Sequence, residues 1–210
     1  MIREDSEDTR RAASDVIGRG GVIAFRTDTF YGLGADPFQR EAVEKIKQLK
    51  GREDHKPILI VISDRAAVAR FVAEPTPHFE LLARRFWPGP LTLIGRASGI
   101  VPDAITAGTQ TVGVRLPGDG AVCELVAACG GALTATSANP STRQPAETAQ
   151  QVLEYFGESI DLIVDGGKAV TEQPSTVVDV SGADARLVRE GVIAWSEIQA
   201  AIEHSQTGDT

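Results

Sequence analysis

The 210 residues contain no apolar run near the roughly 18 residues that a membrane-spanning helix needs. The opening Met1-Ile2-Arg3-Glu4-Asp5 has no signal-like apolar stretch, so a cytoplasmic location without membrane attachment is expected. Cysteine is scarce: Cys123 and Cys129 lie six apart in a segment that reads as a helix. Six helical steps turn the chain through about 600°, so the two thiols diverge. Core packing is therefore expected of them, not a disulfide or a shared metal. The histidines, His55, His78 and His204, are scattered without ligand spacing, and no structural zinc is expected. Basic residues are outnumbered, 21 Lys and Arg against 29 Asp and Glu, for a net charge of −8. Nonspecific nucleic-acid binding needs a basic surface, so that class is excluded as the main activity; a local basic cleft is not.

The common catalytic signatures are missing too. No G-x-x-x-x-G-K-[ST] occurs, since Gly166-Gly167-Lys168 is followed by Ala169. After the first strand-like run there is only Gly32-Leu33-Gly34 in place of G-x-G-x-x-G. Neither H-E-x-x-H nor G-x-S-x-G is found.

What is present is an alternation of elements. Short β-branched runs at 22–25, 58–62, 91–94, 111–114, 133–135, 162–164, 176–180 and 186–188 read as strands. Helical spacing appears at 9–18, 39–50, 79–86, 121–129, 148–156 and 196–202, with Gly51 a stop for the clearest helix. This pattern predicts a single α/β (α+β) domain over 9–203. Flexible tails are expected at 1–8 and 204–210. The strand-rich last third predicts a twisted sheet mixing parallel and antiparallel strands, with flanking helices.

Polar groups concentrate where strands end, the usual place for ligands in such sheets. Thr27-Asp28-Thr29-Phe30-Tyr31-Gly32-Leu33-Gly34 offers hydroxyls and a close-approaching backbone, although a plain turn capped by Asp28 fits equally well. Lys50-Gly51-Arg52 and Lys56-Pro57 put three cations within seven residues, a candidate phosphate clamp in an acidic chain or a solvated basic loop. The run from Thr134 through Ala135, Ser137 and Asn139 to Thr142 can turn hydroxyls and backbone N–H groups toward an anion, or simply form a polar turn. Thr111 and Arg115 share one strand face by alternation. Ser175 and Thr176 open another strand, and Arg189 ends the run at 186–188.

In this order the motifs T-D-T-x-Y-G-L-G, K-x-R, K-P, W-P-G-P-L-T, V-x-V-R-x-P, S-A-N, P-S-T-V-V-D and R-E-G resemble the YrdC/TsaC family of threonylcarbamoyl-adenylate synthases. The resemblance runs from about Val22 to Val192. It implies a YrdC-like fold around a large, positively charged cleft. It implies a reaction in which L-threonine, bicarbonate or CO2 and ATP give threonylcarbamoyl-AMP and pyrophosphate, with Mg²⁺ arriving on the ATP and no metal ligands from the protein. Threonine contacts would fall on Thr29, Arg115, Ala135 (through its backbone) and Ser175. ATP contacts would fall on Arg52, Lys56, Thr111, Ser137, Asn139 and Arg189, with Lys50 and Arg52 as the catalytic cations. The implied downstream partner is a tRNA-modifying threonylcarbamoyl transferase; weak direct tRNA contact is left open. Departures from the family pattern are Val61 for a frequent histidine, Gln144 to Thr148 for P-S-P-T, and Phe25-Arg26 for a proline before T-D-T. Alternative readings are a non-catalytic module binding double-stranded RNA or tRNA, and a paralogue of YciO type.

Overall fold

A computed structural model describes residues 1–51, 56–169, 171 and 173–207. The strands are β1 (Ile2–Glu4), β2 (Ile23–Arg26), β3 (Tyr31–Gly34), β4 (Ile60–Ile62), β5 (Leu91–Arg96), β6 (Thr111–Arg115), β7 (Ala132–Thr134), β8 (Thr136–Ser137), β9 (Leu162–Asp165), β10 (Thr176–Asp179) and β11 (Arg186–Arg189). The helices are α1 (Glu7–Gly18), α2 (Arg40–Lys50), α3 (Val68–Phe71), α4 (Pro77–Phe86), α5 (Asp103–Thr106), α6 (Gly120–Ala128), α7 (Ala149–Phe156) and α8 (Trp195–Thr207). Helix limits follow local chemistry. Thr76 accepts from the Phe79 N–H ahead of Pro77, Thr148 caps α7 through Gln151 N–H, and Gly51 takes the left-handed conformation (φ 57°) that ends α2.

The α/β class is the expected one, and the strands divide between two mixed sheets. The first has the order β1-β9-β2-β3-β8, the second β11-β10-β5-β6-β4-β7. In the first, β1, β9 and β2 run parallel while β2 and β3 form an antiparallel hairpin. In the second, β10–β5 and β4–β6 are parallel and β5–β6 antiparallel. The chain passes from one sheet to the other at Ala135, between β7 and β8. Thr134 secures that crossing: its N–H donates to Ala35 O at 2.9 Å, and its hydroxyl accepts from Ala35 N–H at 2.9 Å.

Alternation along the second sheet separates two environments. Ile60, Ile62, Leu91, Leu93, Val112, Val114 and Val178 are buried in one cluster with Val43 and Ile46 of α2 and Phe79 and Leu82 of α4. The other face carries Val61, Thr92, Ile94, Thr111, Gly113, Arg115 and Val177. Near β4 and β7 that face is covered, because Val61 and Leu133 pack with Val122 and Leu125 of α6 and with Ile23 and Phe25 of the first sheet. Toward β5, β6 and β10 it opens, and Ile94, Thr111 and Val177 are only half-buried. The candidate site lies at that opening.

Three segments differ from expectation. The expected tail at 1–8 contains β1, in register with β9 (Ile2 opposite Ile163), and the start of α1 capped by Ser6. A charged three-residue strand has no pattern of its own to announce it; its pairing comes from a neighbour far along the chain. At the other end α8 continues through 204–207, where a tail was expected. Residues 31–34, expected within a ligand-binding turn, are strand β3, so the turn shortens to 27–30. Gly34 suits that hairpin, since a Cβ there would meet the Phe25 ring at 2.7 Å. Cys123 and Cys129 are free thiols, and burial pushes Cys129 up to about 12.

One buried hydroxyl ties the C-terminal segment to β10. Thr176 is fully buried, donates to Ile193 O at 2.6 Å and accepts from the N–H groups of Gly191 and Ile193. Thr176→Val keeps the shape and orphans those backbone groups. It should lower unfolding free energy by about 1–3 kcal/mol, read as a shifted denaturant midpoint at unchanged slope.

Candidate active site

Three segments remote in sequence meet at Arg115. The turn at 27–30 brings Asp28 and Thr29; the loop before β5 brings Gly89; β6 ends in Arg115 itself. The Arg115 side chain is only 4% exposed. Its Nη2 forms an ion pair with Asp28, its Nη1 donates to Thr29 Oγ1 at 3.2 Å, and its Nε donates to Gly89 O at 3.1 Å. The second Asp28 oxygen accepts from Gly118 N–H at 3.1 Å. Thr29 is oriented in turn by Thr27, whose hydroxyl lies 3.0 Å from its own. A buried guanidinium needs such partners, because leaving water unpaired would cost several kcal/mol.

The second sheet continues the site sideways. Leu93 pairs with Val114, so alternation sends Thr92 and Arg115 together to the opposite, open face. Val177 lies beside Thr92 on that face, and Arg189 beside Val177. A bulge makes this last placement. The register of Val178 with Leu187 would put Val188 opposite Val177; the shift between Val177 and Val178 puts Arg189 there instead. Arg189 then folds back on Ser175, donating to its carbonyl from Nη2 at 2.8 Å and Nε at 3.2 Å, and to its hydroxyl at 3.2 Å. That hydroxyl is 3.1 Å from Thr92 Oγ1. Partial burial, and then repulsion from Arg115, hold the Arg189 guanidinium below the ordinary arginine value. Two mutually repelling guanidinium groups, Arg115 buried and Arg189 on exposed β11, with the buried hydroxyls of Thr29, Thr92 and Ser175 beside them, suit an anionic ligand group.

A second constellation forms at the end of α2. The Lys50 ammonium, on a residue buried at 5% exposure, donates to Ser137 O, to Asn139 O at 2.9 Å and to Asn139 Oδ1 at 3.2 Å. The Asn139 amide nitrogen donates onward to Pro140 O at 3.1 Å and Arg143 O at 2.5 Å. The backbone carbonyl of Lys50 accepts from Ser141 through both its N–H and its hydroxyl. Lys50 and Asn139, expected as cation and nucleotide contact, are thus engaged in fixing the loop that follows Ser137 at the end of β8. The cause is local: a buried ammonium at a helix end seeks carbonyl oxygens, and this loop supplies them.

Of the residues expected around threonine, Thr29, Arg115 and Ser175 lie in one hydrogen-bonded and electrostatic neighbourhood. Ala135 is adjacent through Gly32, whose Cβ position would lie 3.9 Å from both Ala135 and Thr27. Of the Ala135 backbone, expected as a contact, the N–H donates to Leu59 O at 2.9 Å and serves the sheet crossing. Thr111 sits at the far end of β6, about 13 Å from Arg115 at strand rise, with its hydroxyl 2.9 Å from that of Thr109. Lys56 is exposed. Arg52 lies outside the described residues. Val61, where the family often has histidine, is buried beside Arg115 in the β4–β6 register.

Asp28 and Thr92 were missed as site residues. Asp28 had a signal, a carboxylate between two threonines at a strand end, but its arginine lies 87 positions away. Thr92 closes the W-P-G-P-L-T motif, but a lone threonine in an apolar strand reads as packing and was given no role.

Asp28→Ala leaves a buried guanidinium without its counter-charge and should destabilise the fold by about 3–5 kcal/mol. Lys45→Ala, which breaks a pair with Asp161 whose side chains are 38% and 41% exposed, should cost under about 1 kcal/mol. Urea midpoints of the two variants check the contrast.

Known proteins resemble this chain in sequence and in fold. The profile of the Sua5/YciO/YrdC family, described as telomere recombination, matches residues 15–191. The threonylcarbamoyl-AMP synthase of Pyrococcus abyssi is 37% identical over 202 residues, covering 96% of this chain and 59% of its own length. The enzyme of the same name from Halorhodospira halophila is 35% identical over 170 residues, covering 81% of this chain and 88% of its own. The crystal structure of P. abyssi Sua5 complexed with L-threonine superposes with a TM-score of 0.92 at 35% identity, over 96% of this chain and 61% of that one. The chain therefore spans about three fifths of the Pyrococcus protein and most of the Halorhodospira one. With its two mixed sheets and a profile match over most of its length, this chain belongs to the Sua5/YciO/YrdC family.

Proposed function

We propose that this chain is an L-threonylcarbamoyladenylate synthase, a nucleotidyltransferase that condenses L-threonine, bicarbonate or CO2 and ATP into threonylcarbamoyl-AMP and pyrophosphate. The observation that carries the reading is the meeting of Thr29 from the turn, Arg115 from β6, Ser175 from the segment before β10 and Arg189 from β11 in one hydrogen-bonded and electrostatic group. Its support from outside is a relative of 35% identity whose crystal structure is a complex with L-threonine.

In this reading the threonine carboxylate lies against Arg115, with Thr29 and Ser175 as hydroxyl partners. The neutral amine adds to CO2 and loses a proton to water, and a carbamate anion forms. A carbamate oxygen then attacks the α-phosphorus of ATP; that P–O bond forms as the bond to pyrophosphate breaks. Nucleophile and phosphate are both anionic, so repulsion is the main obstacle, and catalysis is chiefly positioning and electrostatic stabilisation. Arg189, Lys56 and Arg52 supply the offsetting charge, and Ser137 contacts the nucleotide from the end of β8, beside the loop that Lys50 and Asn139 hold. The resulting cleft is proposed to be positively charged despite the acidic total. Among the described residues no three His, Cys, Asp or Glu side chains are grouped to hold a metal ion. The Mg²⁺ of this proposal is the one that hard phosphate oxygens of ATP bring, and it would screen their charge. The product is a reactive mixed anhydride, fitted for consumption by a tRNA-modifying threonylcarbamoyl transferase. A cytoplasmic setting belongs to the same reading; among the described residues no helix is long and apolar enough to cross a membrane.

Pyrophosphate release should require threonine when ATP and bicarbonate are supplied with each standard amino acid in turn; release independent of threonine overturns the assignment. Arg52→Ala and Lys56→Ala should each leave the circular dichroism spectrum unchanged. Each lost charge-assisted contact costs about 1.5–3 kcal/mol. In rate that is roughly ten- to a hundredfold.

A further inference from the structure

Two ion pairs join the same two segments in opposite senses. Arg115 reaches from the segment at 115–119 to Asp28 on the turn. Arg26, two residues before Asp28, reaches back to Asp119 at 2.5 Å. Between them Gly118 N–H donates to Asp28, and a Cβ on Gly118 would press on Gly89 Cα and the Asp28 carboxylate, each at 3.4 Å. The Arg26–Asp119 side chains are 17% and 21% exposed, so the pair is better shielded than a surface bridge. Asp119 is itself fixed, its other oxygen accepting from Ala121 N–H at 2.9 Å at the start of α6. Arg26 lies against Gly166, where a Cβ would come within 3.0 Å of Nε, and that Nε is buried without a hydrogen-bond partner. A buried, unsatisfied donor costs stability, so the residue is ill suited to a purely stabilising role.

We propose that Arg26 is a positioning residue: with Asp119 it forms a latch that fixes the slide of the turn against the 115–119 segment. Through Asp28 the latch sets the bearing of the Arg115 guanidinium. A single ion pair constrains the distance between two segments and leaves them able to slip; a second of opposite polarity, with Gly118 N–H between, removes the slip. The consequence for affinity rests on the proposed amino-acid carboxylate at Arg115, whereas the latch itself does not.

The test uses Arg26→Met and Asp119→Asn, the second chosen because asparagine keeps an oxygen for Ala121 N–H. In the unliganded protein, the ¹⁵N-resolved signal of the Arg115 Nε–H, which donates to Gly89 O, should shift and exchange faster in both variants. The double variant should be no worse than either single one, since both remove one interaction. L-Threonine dissociation constants by calorimetry should rise about tenfold, with a smaller change in the turnover of pyrophosphate release. Melting temperatures should stay within a few degrees of the parent. An unchanged Arg115 signal, or effects that add in the double variant, overturns the latch whatever the protein catalyses. A shifted signal in a protein that never binds threonine upholds the latch and overturns the proposed function instead.

Discussion

The buried pairing of Arg115 with Asp28 is the constraint around which this molecule is arranged. Moving a guanidinium and a carboxylate out of water costs several kcal/mol per ion, and attraction offsets it only when the remaining donors and lone pairs are also met. Here Thr29, Gly89 O and Gly118 N–H meet them. That set can assemble only if the hairpin of the first sheet, the loop before β5 and the end of β6 arrive together. The crossing at Ala135, clamped by Thr134 and Ala35, holds the two sheets close enough for this to happen.

From that anchor the rest of the site follows by sheet geometry. Strand pairing carries the row from Arg115 through Thr92 and Val177 to Arg189, and a bulge supplies the last step. The row thus carries a guanidinium at each end before any ligand arrives. Preorganised charge of this kind acts without reorganisation when an anion develops nearby. The Lys50–Ser137–Asn139 group plays a different part: its polar atoms are spent on holding the loop that follows β8.

Much of the architecture was legible along the chain. The eight strand-like runs and six helical stretches each correspond to an element, because apolar spacing, caps and Gly51 are local signals. What escaped were pieces whose reason lies elsewhere: β1 exists because β9 offers an edge, and β3 because β2 folds back onto it. The site divides similarly. Thr29, Arg115 and Ser175 were legible as polar residues at strand ends. Asp28 as the partner of Arg115, Thr92 as the partner of Ser175, and the inward engagement of Asn139 and Lys50 were not, since none of these follows from spacing.

Residue order by itself determined the α/β class, the limits of the long helices and which residues could carry charge or hydroxyls at strand ends. These depend on periodicities of two and 3.6 that the chain displays locally. Tertiary structure alone decided that the strands divide between two sheets and that Arg26 and Arg115 cross-link one pair of segments. It also decided that Arg189 joins the open face: strict alternation would have placed it with Leu187, and the bulge moves it across. The physical reason is the same throughout. A backbone pairs with whatever edge lies beside it, and a buried charge with whatever counter-charge the fold delivers; both are facts of space and not of sequence distance.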